Sequence, residues 1–418
     1  MLWIPTQPVS DFRDYFQRAV ALRETGSYSP APERPDAPYP PAYPLFLLLA
    51  LSFPGATDPF LAARIANCLL GAGTIVAGGH LGRALGGDRA GLAAAVVFAL
   101  YPRSLLMACL LASENLFSPL LLLFVWLAVR AARAPAGIRQ ALGAGIVVAL
   151  MALTRSVAYG IGIVWALAGV AARRPPRRIA MEFAVLLVVQ HAVMFPWALR
   201  NRRELGVFTF LTSTGGIGLF AGNNPAATGD WYPWQADLER LRPGVSARSA
   251  VEVDRAARAE AFEWIRANPG RAAALYVARL RLILVQDYLA ADWAIFADRI
   301  PPPEPGLSVL PGPHPLKVHR PAVTRLLRIS GLLLALAACG GLVLLLKHGT
   351  ARDAPISAGL AAIVAAAAYL LFASAVIAAN GRYRWPLEDL AVPLAAFLIA
   401  ARTAVIPSRS LETGGSFP

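Results

Sequence analysis

Long apolar runs constrain this chain more than any other feature. Stretches near 59–82, 90–111, 115–132, 138–154, 157–172, 179–198, 325–346, 355–378 and 386–404 are mainly apolar. About 20 such residues span a hydrocarbon core roughly 30 Å thick. In hydrocarbon the backbone must satisfy its own polar groups, which a helix does within one segment. The expected fold class is therefore an all-α integral membrane protein built as a transmembrane helix bundle. Composition agrees: 57% of the 418 residues are hydrophobic and 15% charged, against about a quarter charged in soluble domains.

The net charge of +14 would suggest nucleic acid in a soluble protein. Here Lys and Arg collect beside the apolar runs, where they set orientation and meet anionic lipid; no nucleic-acid partner is expected. One set of short loops holds Arg83 and Arg89; Arg130, Arg133 and Arg139; Arg173, Arg174, Arg177 and Arg178; Lys347, His348 and Arg352; Arg402 and Arg409. With these spans all five groups fall on one side, which the positive-inside rule makes cytoplasmic. Residues 1–57, the 112–114 turn, Arg155, the 199–324 segment and Arg382 to Arg384 then face outside. Cys68, Cys109 and Cys339 lie within apolar runs and form no metal or disulfide motif.

Three regions are expected: 1–198, an N-terminal transmembrane module; 199–324, an outer polar segment; and 325–418, C-terminal transmembrane helices. Residues 1–8 read as the tail of a span whose beginning lies upstream, to be checked at the native N-terminus. Residues 9–24 mix charge with Phe12, Phe16, Val20 and Leu22, which suggests an interfacial amphipathic helix. Prolines 30, 32, 35, 38, 40, 41 and 44 prevent a long helix there. Residues 45–53, within 41–54, are apolar but short, which suits an interfacial or re-entrant helix. Within the outer segment, 212–234 looks loop-like, and Trp231 and Trp234 are either sugar-stacking groups or interface anchors. Charged and semi-apolar helices are expected near 247–267 and 270–296, and a Pro-rich linker over 301–321.

Some polar residues stand out against this background. Asp11, just outside the membrane, is either a base for an acceptor hydroxyl or an ordinary first-turn acid. Glu114 separates two apolar runs; it either faces a wet cavity or opens a helix. Arg155, Arg200, Arg382 and Arg384 each end a span, where arginine forks suit phosphate but also snorkel to headgroups. Arg103 lies inside a span and needs a partner. The rigid Tyr39-Pro40-Pro41-Ala42-Tyr43-Pro44 run either walls a site or is a stiff connector. No Walker loop, GxSxG, HExxH or CxxC occurs.

In order along the chain stand Ser10-Asp11-Phe12 with Tyr15; the YPPAYP run; Ala63-Arg64 with Asn67; Tyr101-Pro102; Ser113-Glu114; Leu153-Thr154-Arg155; and Pro196-Trp197-Ala198-Leu199-Arg200-Asn201. Ser213-Thr214-Gly215-Gly216, Gly222-Asn223-Asn224-Pro225, Ala227-Thr228-Gly229, Arg382-Tyr383-Arg384 and Pro386-Leu387-Glu388 follow. This series resembles the GT-C superfamily of polytopic glycosyltransferases, and most closely bacterial members related to protein O-mannosyltransferases and the lipid A aminoarabinose transferase. The resemblance implies a helix bundle with two interfacial helices in its first outer loop. It implies transfer of a sugar from a polyprenyl-phosphate donor to an envelope acceptor at the outer, periplasmic face of a bacterial inner membrane.

By the same analogy Asp11 would be the catalytic base and Glu114 the second acid. Arg200, Arg382, Arg384 and Arg155 would hold donor phosphate, while Tyr39, Tyr43, Asn201 and Asn223 would line the substrate pocket. Tyr39 stands where family members often carry a basic residue before the two prolines. A divalent metal ion is the cofactor that would suit Asp11 and Glu114 should they converge; no metal residues are assigned. The rival functions are a lipid-linked glycan transporter or flippase, an O-antigen ligase or polymerase, and an inactive member.

Overall fold

The computed structural model describes residues 10–53, 58–133, 137–230, 233–285, 320–347, 353–377 and 381–403. Among them the regular structure is helical, with no β-strand. Residues 1–8, 286–296, most of the 301–321 linker, Trp231, His348, Arg352 and Arg409 lie outside the described residues.

Two short helices open the chain. Helix α1 (Asp11–Thr25) buries Phe12, Tyr15, Phe16 and Ala19, an i, i+3, i+4, i+7 stripe. It ends at Gly26, whose φ of 72° lets its N–H return to Leu22 O. Helix α2 (Ala42–Leu51) answers with Tyr43, Leu47 and Leu51, one helical turn apart and all buried. The two faces form one apolar cluster with Ala63, Leu106, Met107, Leu110, Leu111 and Ala112.

The bundle follows. Helix α3 (Pro59–Leu100) starts where Asp58 accepts from the amides of Phe60 and Leu61 at 2.9 and 3.1 Å. It is two limbs joined at Gly86-Gly87, where Gly87 has φ 78°, a conformation glycine adopts without a Cβ penalty. The second limb stops before Pro102. Helix α4 (Pro102–Ala108) then restarts the path, so the run expected as one span over 90–111 is a helix, a break and a short helix. Proline at 102 lacks the N–H that would continue the ladder and biases Tyr101 to extended backbone (φ −65°, ψ 117°).

Helices α5 (Glu114–Arg133), α6 (Ile138–Thr154), α7 (Ile163–Ala171) and α8 (Pro176–Leu205) come next. The run expected over 157–172 opens as a tight 3-10 turn, Ser156–Gly160, before α7. After the outer segment, α13 (Arg320–Lys347), α14 (Ala354–Ser374) and α15 (Trp385–Thr403) complete the bundle. Among the described residues five helical stretches are long and apolar enough to cross a membrane: Pro59–Leu100, Glu114–Arg133, Pro176–Leu205, Pro321–Leu346 and Ala354–Ser374.

Lipid gives helices no hydrophobic reason to associate, so close packing through small residues does the work. Ala94, Ala128, Ala144, Ala362, Ala366 and Ala396 are fully or almost fully buried between helices. A Cβ on Gly341 would collide with the Leu394 carbonyl oxygen, so α13 and α15 cross backbone to backbone there. On the outside Leu69, Leu92, Leu100, Val188, Leu332 and Leu336 are exposed, an apolar coat that only lipid suits.

The outer segment is more helical than its Gly- and Asn-rich sequence suggested. Residues 215–222 form helix α9 (Gly215–Gly222), followed by α10 (Gln235–Leu241), α11 (Ala250–Ala267) and α12 (Pro269–Val285). Asp254 on α11 accepts from the amides of Gly216 and Ile217 at 2.6 and 3.0 Å. That distant carboxylate caps α9 and corrects the loop-like expectation for 212–234.

Candidate active site

The described acids and arginines converge at the end of the bundle that carries α1 and α2. Asp11 is the first residue of α1 and Glu114 the first of α5. Arg155 follows α6, and Arg382 sits in a 3-10 turn, Gly381–Arg384, just before α15. Arg382 lies between the two acids. Its Nη1 donates to Asp11 Oδ2 at 2.9 Å, its Nη2 to Glu114 Oε2 at 2.7 Å, and its Nε to Glu114 Oε1. Arg155 Nη1 pairs with Glu114 Oε1 at 2.6 Å and donates to Ser113 Oγ at 3.3 Å.

Burial grades the network. The side chain of Glu114 is 1% exposed, that of Arg382 9%, and that of Asp11 37%. Asp11 is therefore its open edge. A carboxylate as deep as Glu114 must be compensated, and two guanidinium groups compensate it. Burial works against the Arg382 charge, but Glu114 and Asp11 outweigh it and hold the group protonated. Its guanidinium also lies 4.8 Å from the Phe12 ring centroid, and that of Arg155 5.4 Å from the Tyr383 ring.

Tyrosines form a second layer. Tyr39 OH donates to Asp14 Oδ2 at 3.0 Å and lies 3.4 Å from Asp11 Oδ1. Burial, then the Asp11 charge, raise its hydroxyl far above the usual phenol range, so Tyr39 is a fixed donor. Burial pushes Tyr15 up to about 12; its ring packs edge-on against Tyr39 and Tyr43, with centroids 4.9 and 5.3 Å apart. Asp14 is also raised by burial, against the lowering effect of the Tyr39 bond. Tyr43 itself is fully buried and donates to Asn67 Oδ1 at 2.9 Å, so it braces the wall from behind.

Arg384 belongs to an adjoining cluster. Its Nε donates to Glu388 Oε1 at 3.0 Å and its Nη1 to Leu284 O at 2.7 Å. Glu388 also accepts from Tyr101 OH at 2.8 Å and pairs with Arg103, the partner that the sequence left unnamed. Arg384 and Glu388 edge a cavity of about 640 Å³ between α12, α13 and α15. Leu284, Val285, Leu327, Leu332, Leu334 and Leu387 line it, and Arg328 joins the polar edge.

Arg200, Asn201 and Asn223 bond to groups outside this network. Arg200 donates to Asp36 O at 3.0 Å and Ser29 Oγ at 3.2 Å, and stacks near Tyr28 and Trp197. Asn201 donates to Thr209 O at 3.0 Å. With the bidentate Arg18–Asp36 pair (2.7 and 2.8 Å) these bonds hold the proline-rich loop that carries Tyr39. Asn223 accepts from the buried Arg279 at 3.3 Å; Arg279 also donates to Ala375 O at 2.6 Å, tying α12 to the end of α14. Sequence reading had missed Arg279, the Arg18–Asp36 pair and the role of Asp14. Only the charge of Arg18 within a buried helical stripe hinted at any of them.

Asp11 and Glu114 share a guanidinium. A divalent ion bridging them would have to displace Arg382, and among the described residues no group of three or more His, Cys, Asp or Glu side chains gathers. This donor set does not fit a metal ion.

No family model matches the chain, and no curated protein matches it by sequence. Solved structures do resemble it. The archaeal oligosaccharyltransferase AglB from Archaeoglobus fulgidus, in complex with an inhibitory peptide and a dolichol-phosphate, superimposes with a TM-score of 0.54 at 13% identity, over 96% of this chain and 47% of that one. The apo form of the Archaeoglobus fulgidus oligosaccharyltransferase gives 0.53 at 14% identity, again over 96% and 47%. ArnT from Cupriavidus metallidurans bound to undecaprenyl phosphate gives 0.41 at 12% identity, over 95% and 74%. This chain has the GT-C fold, an all-α membrane bundle, and spans about half the length of the oligosaccharyltransferases it matches.

Proposed function

We propose that this protein is a multi-pass membrane glycosyltransferase. It moves a sugar from a polyprenyl-phosphate donor to an envelope acceptor at the periplasmic face of a bacterial inner membrane. The observation that carries this reading is the Asp11–Arg382–Glu114–Arg155 network at one end of a GT-C bundle. The fold is shared with a protein solved with dolichol-phosphate.

A donor of this class has an apolar tail and an anionic head. The leucine-lined cavity between α13 and α15 suits the tail. Arg384 at its edge, with Arg382 in the same turn, suits the phosphate. As phosphate reaches Arg382 it takes the Nη1 donor from Asp11 and leaves that carboxylate more basic. An acceptor hydroxyl then attacks the anomeric carbon while Asp11 takes its proton. The bond from that carbon to the phosphate oxygen breaks, and polyprenyl phosphate leaves with the electron pair. The arginines stabilise the charge gathering on phosphate, in a site that Glu114 keeps preorganised. Arg200 and Asn201 support from behind, through the Tyr39 loop, and Tyr43 braces the same wall through Asn67; Asn223, through Arg279, holds α12, which edges the donor cavity.

The test is sugar transfer in isolated membranes, from mixed polyprenyl-phosphate sugars to envelope acceptors. Asp11→Asn at matched expression should lower transfer by about 100-fold or more, the usual size of a general-base contribution. Transfer that survives this change removes Asp11 from the chemistry. A folded wild type that transfers no sugar but moves lipid-linked glycan across vesicles would favour a flippase instead.

A further inference from the structure

The same helix that begins at Glu114 ends in a different kind of site. Arg130 and Arg133 stand 16 and 19 residues after Glu114 in α5. At 1.5 Å per residue that is about 24 and 28 Å along the axis, close to the thickness of a hydrocarbon core. They therefore mark the opposite membrane boundary. There a cavity of about 430 Å³ is lined by Trp126, Arg130, Arg133 and Gln140, a volume within the usual range of ligand sites.

The lining is specific. Arg130 and Arg133 are three residues apart, so they share a face of α5. Arg130 lies 4.8 Å from the Trp126 ring centroid, one turn earlier. Arg133 donates through Nη2 to Ala84 O at 3.0 Å, which uses one of its five N–H donors. Both arginines are exposed, and neither pairs with a carboxylate among the described residues. Gln140 Oε1, by contrast, is buried and has no hydrogen-bond partner among the described residues.

Arginines in a last helical turn also complement the helix dipole. That explains their sign. It does not explain a concave pocket with a tryptophan wall or a buried amide oxygen that lacks a donor. An unmatched buried acceptor is costly, and a ligand bearing a hydroxyl would match it.

We propose that this pocket binds the headgroup of an anionic phospholipid of its own leaflet. The phosphodiester sits on Arg130 and Arg133, a headgroup hydroxyl donates to Gln140 Oε1, and Trp126 packs along the glycerol. Basic pockets between membrane helices commonly recognise such headgroups. The site is independent of the transfer chemistry at the other end of α5.

Native mass spectrometry of the full chain, released from detergent with added lipid, tests this. Phosphatidylglycerol should be retained at least tenfold better than phosphatidylcholine of the same acyl chains. The pair Arg130→Gln and Arg133→Gln should erase that preference, and both positions are exposed enough to leave folding intact. Gln140→Leu should weaken phosphatidylglycerol but leave phosphatidylmethanol, an anionic phosphodiester with no headgroup hydroxyl, unchanged. Equal retention of the two lipids, or a preference that survives the double substitution, would overturn the proposal. So would glycerol phosphate or inorganic phosphate displacing the lipid at equal concentration, since that marks a soluble-anion site.

Discussion

Glu114 is held by two arginines from distant parts of the chain, and its side chain is almost wholly removed from solvent. Such a group cannot lose its charge without leaving the buried Arg382 and the partly buried Arg155 short of compensation. Breaking a buried ion pair on one side costs about 3–5 kcal/mol. Glu114→Gln should therefore lower the thermal unfolding temperature of the detergent-solubilised protein clearly, while Asp11→Asn, at the open edge, should lower it little. Asp14 behaves in the opposite sense. Burial raises its pKa above the ordinary 3.8, so the fold prefers its neutral form. Its contribution to stability is fully present below 3.8 and fades as pH rises through the raised value. The stability of the wild type relative to Asp14→Asn should thus fall between acid and neutral pH; unfolding scans at several pH values check this, and a flat difference would refute it. The sequence pointed to Asp11, Glu114, Arg155 and Arg382 one at a time, because charge beside an apolar run is costly enough to be conspicuous. Their contact was not readable. Arg382 and Asp11 are 371 positions apart, and nothing in local pattern pairs residues at that range.

At the scale of elements, apolar runs announce helices well where their ends carry their own signals. Helix α6 spans Ile138–Thr154, between Gly137 and Arg155, the bounds expected from hydropathy. The runs over 90–111 and 157–172 were expected as single spans, because apolar composition does not register a break as short as Tyr101-Pro102 or a 3-10 turn. Helix α9 shows the reverse case. Glycine and asparagine disfavour helix, yet Asp254 supplies the missing acceptor for its first amides. Hydrogen bonds to a charged group are worth about 1.5–3 kcal/mol. Asp254→Ala should loosen α9 from α11 and expose residues 213–217 to protease, with the bundle itself left intact. Limited proteolysis that cuts wild type and variant at equal rates would show that α9 holds without this cap.

For the whole molecule, the two ends of α5 define two faces with different chemistry, acids with arginines at one and uncompensated arginines at the other. Fold class was legible because lipid admits so few solutions. Which side faces out rests on charge bias alone. Single cysteines at Arg139→Cys and Arg248→Cys, in a background lacking Cys68, Cys109 and Cys339, provide the measurement. A membrane-impermeant maleimide added to intact cells should label position 248 and spare 139; the reverse pattern would invert the proposed topology.

The joining of Asp11 to Arg382 also bears on how the chain is made. Synthesis runs from one end to the other, so Asp11 and Glu114 are in place long before Arg382 leaves the ribosome. Until then Arg155 is the one member of the pair of cations available to two carboxylates. The nascent protein therefore passes most of its synthesis with the network short of one positive charge, and the turn before the last helix is what completes it. An arrested chain ending before 381 would carry Asp11 without its guanidinium partner and Glu114 with one of its two.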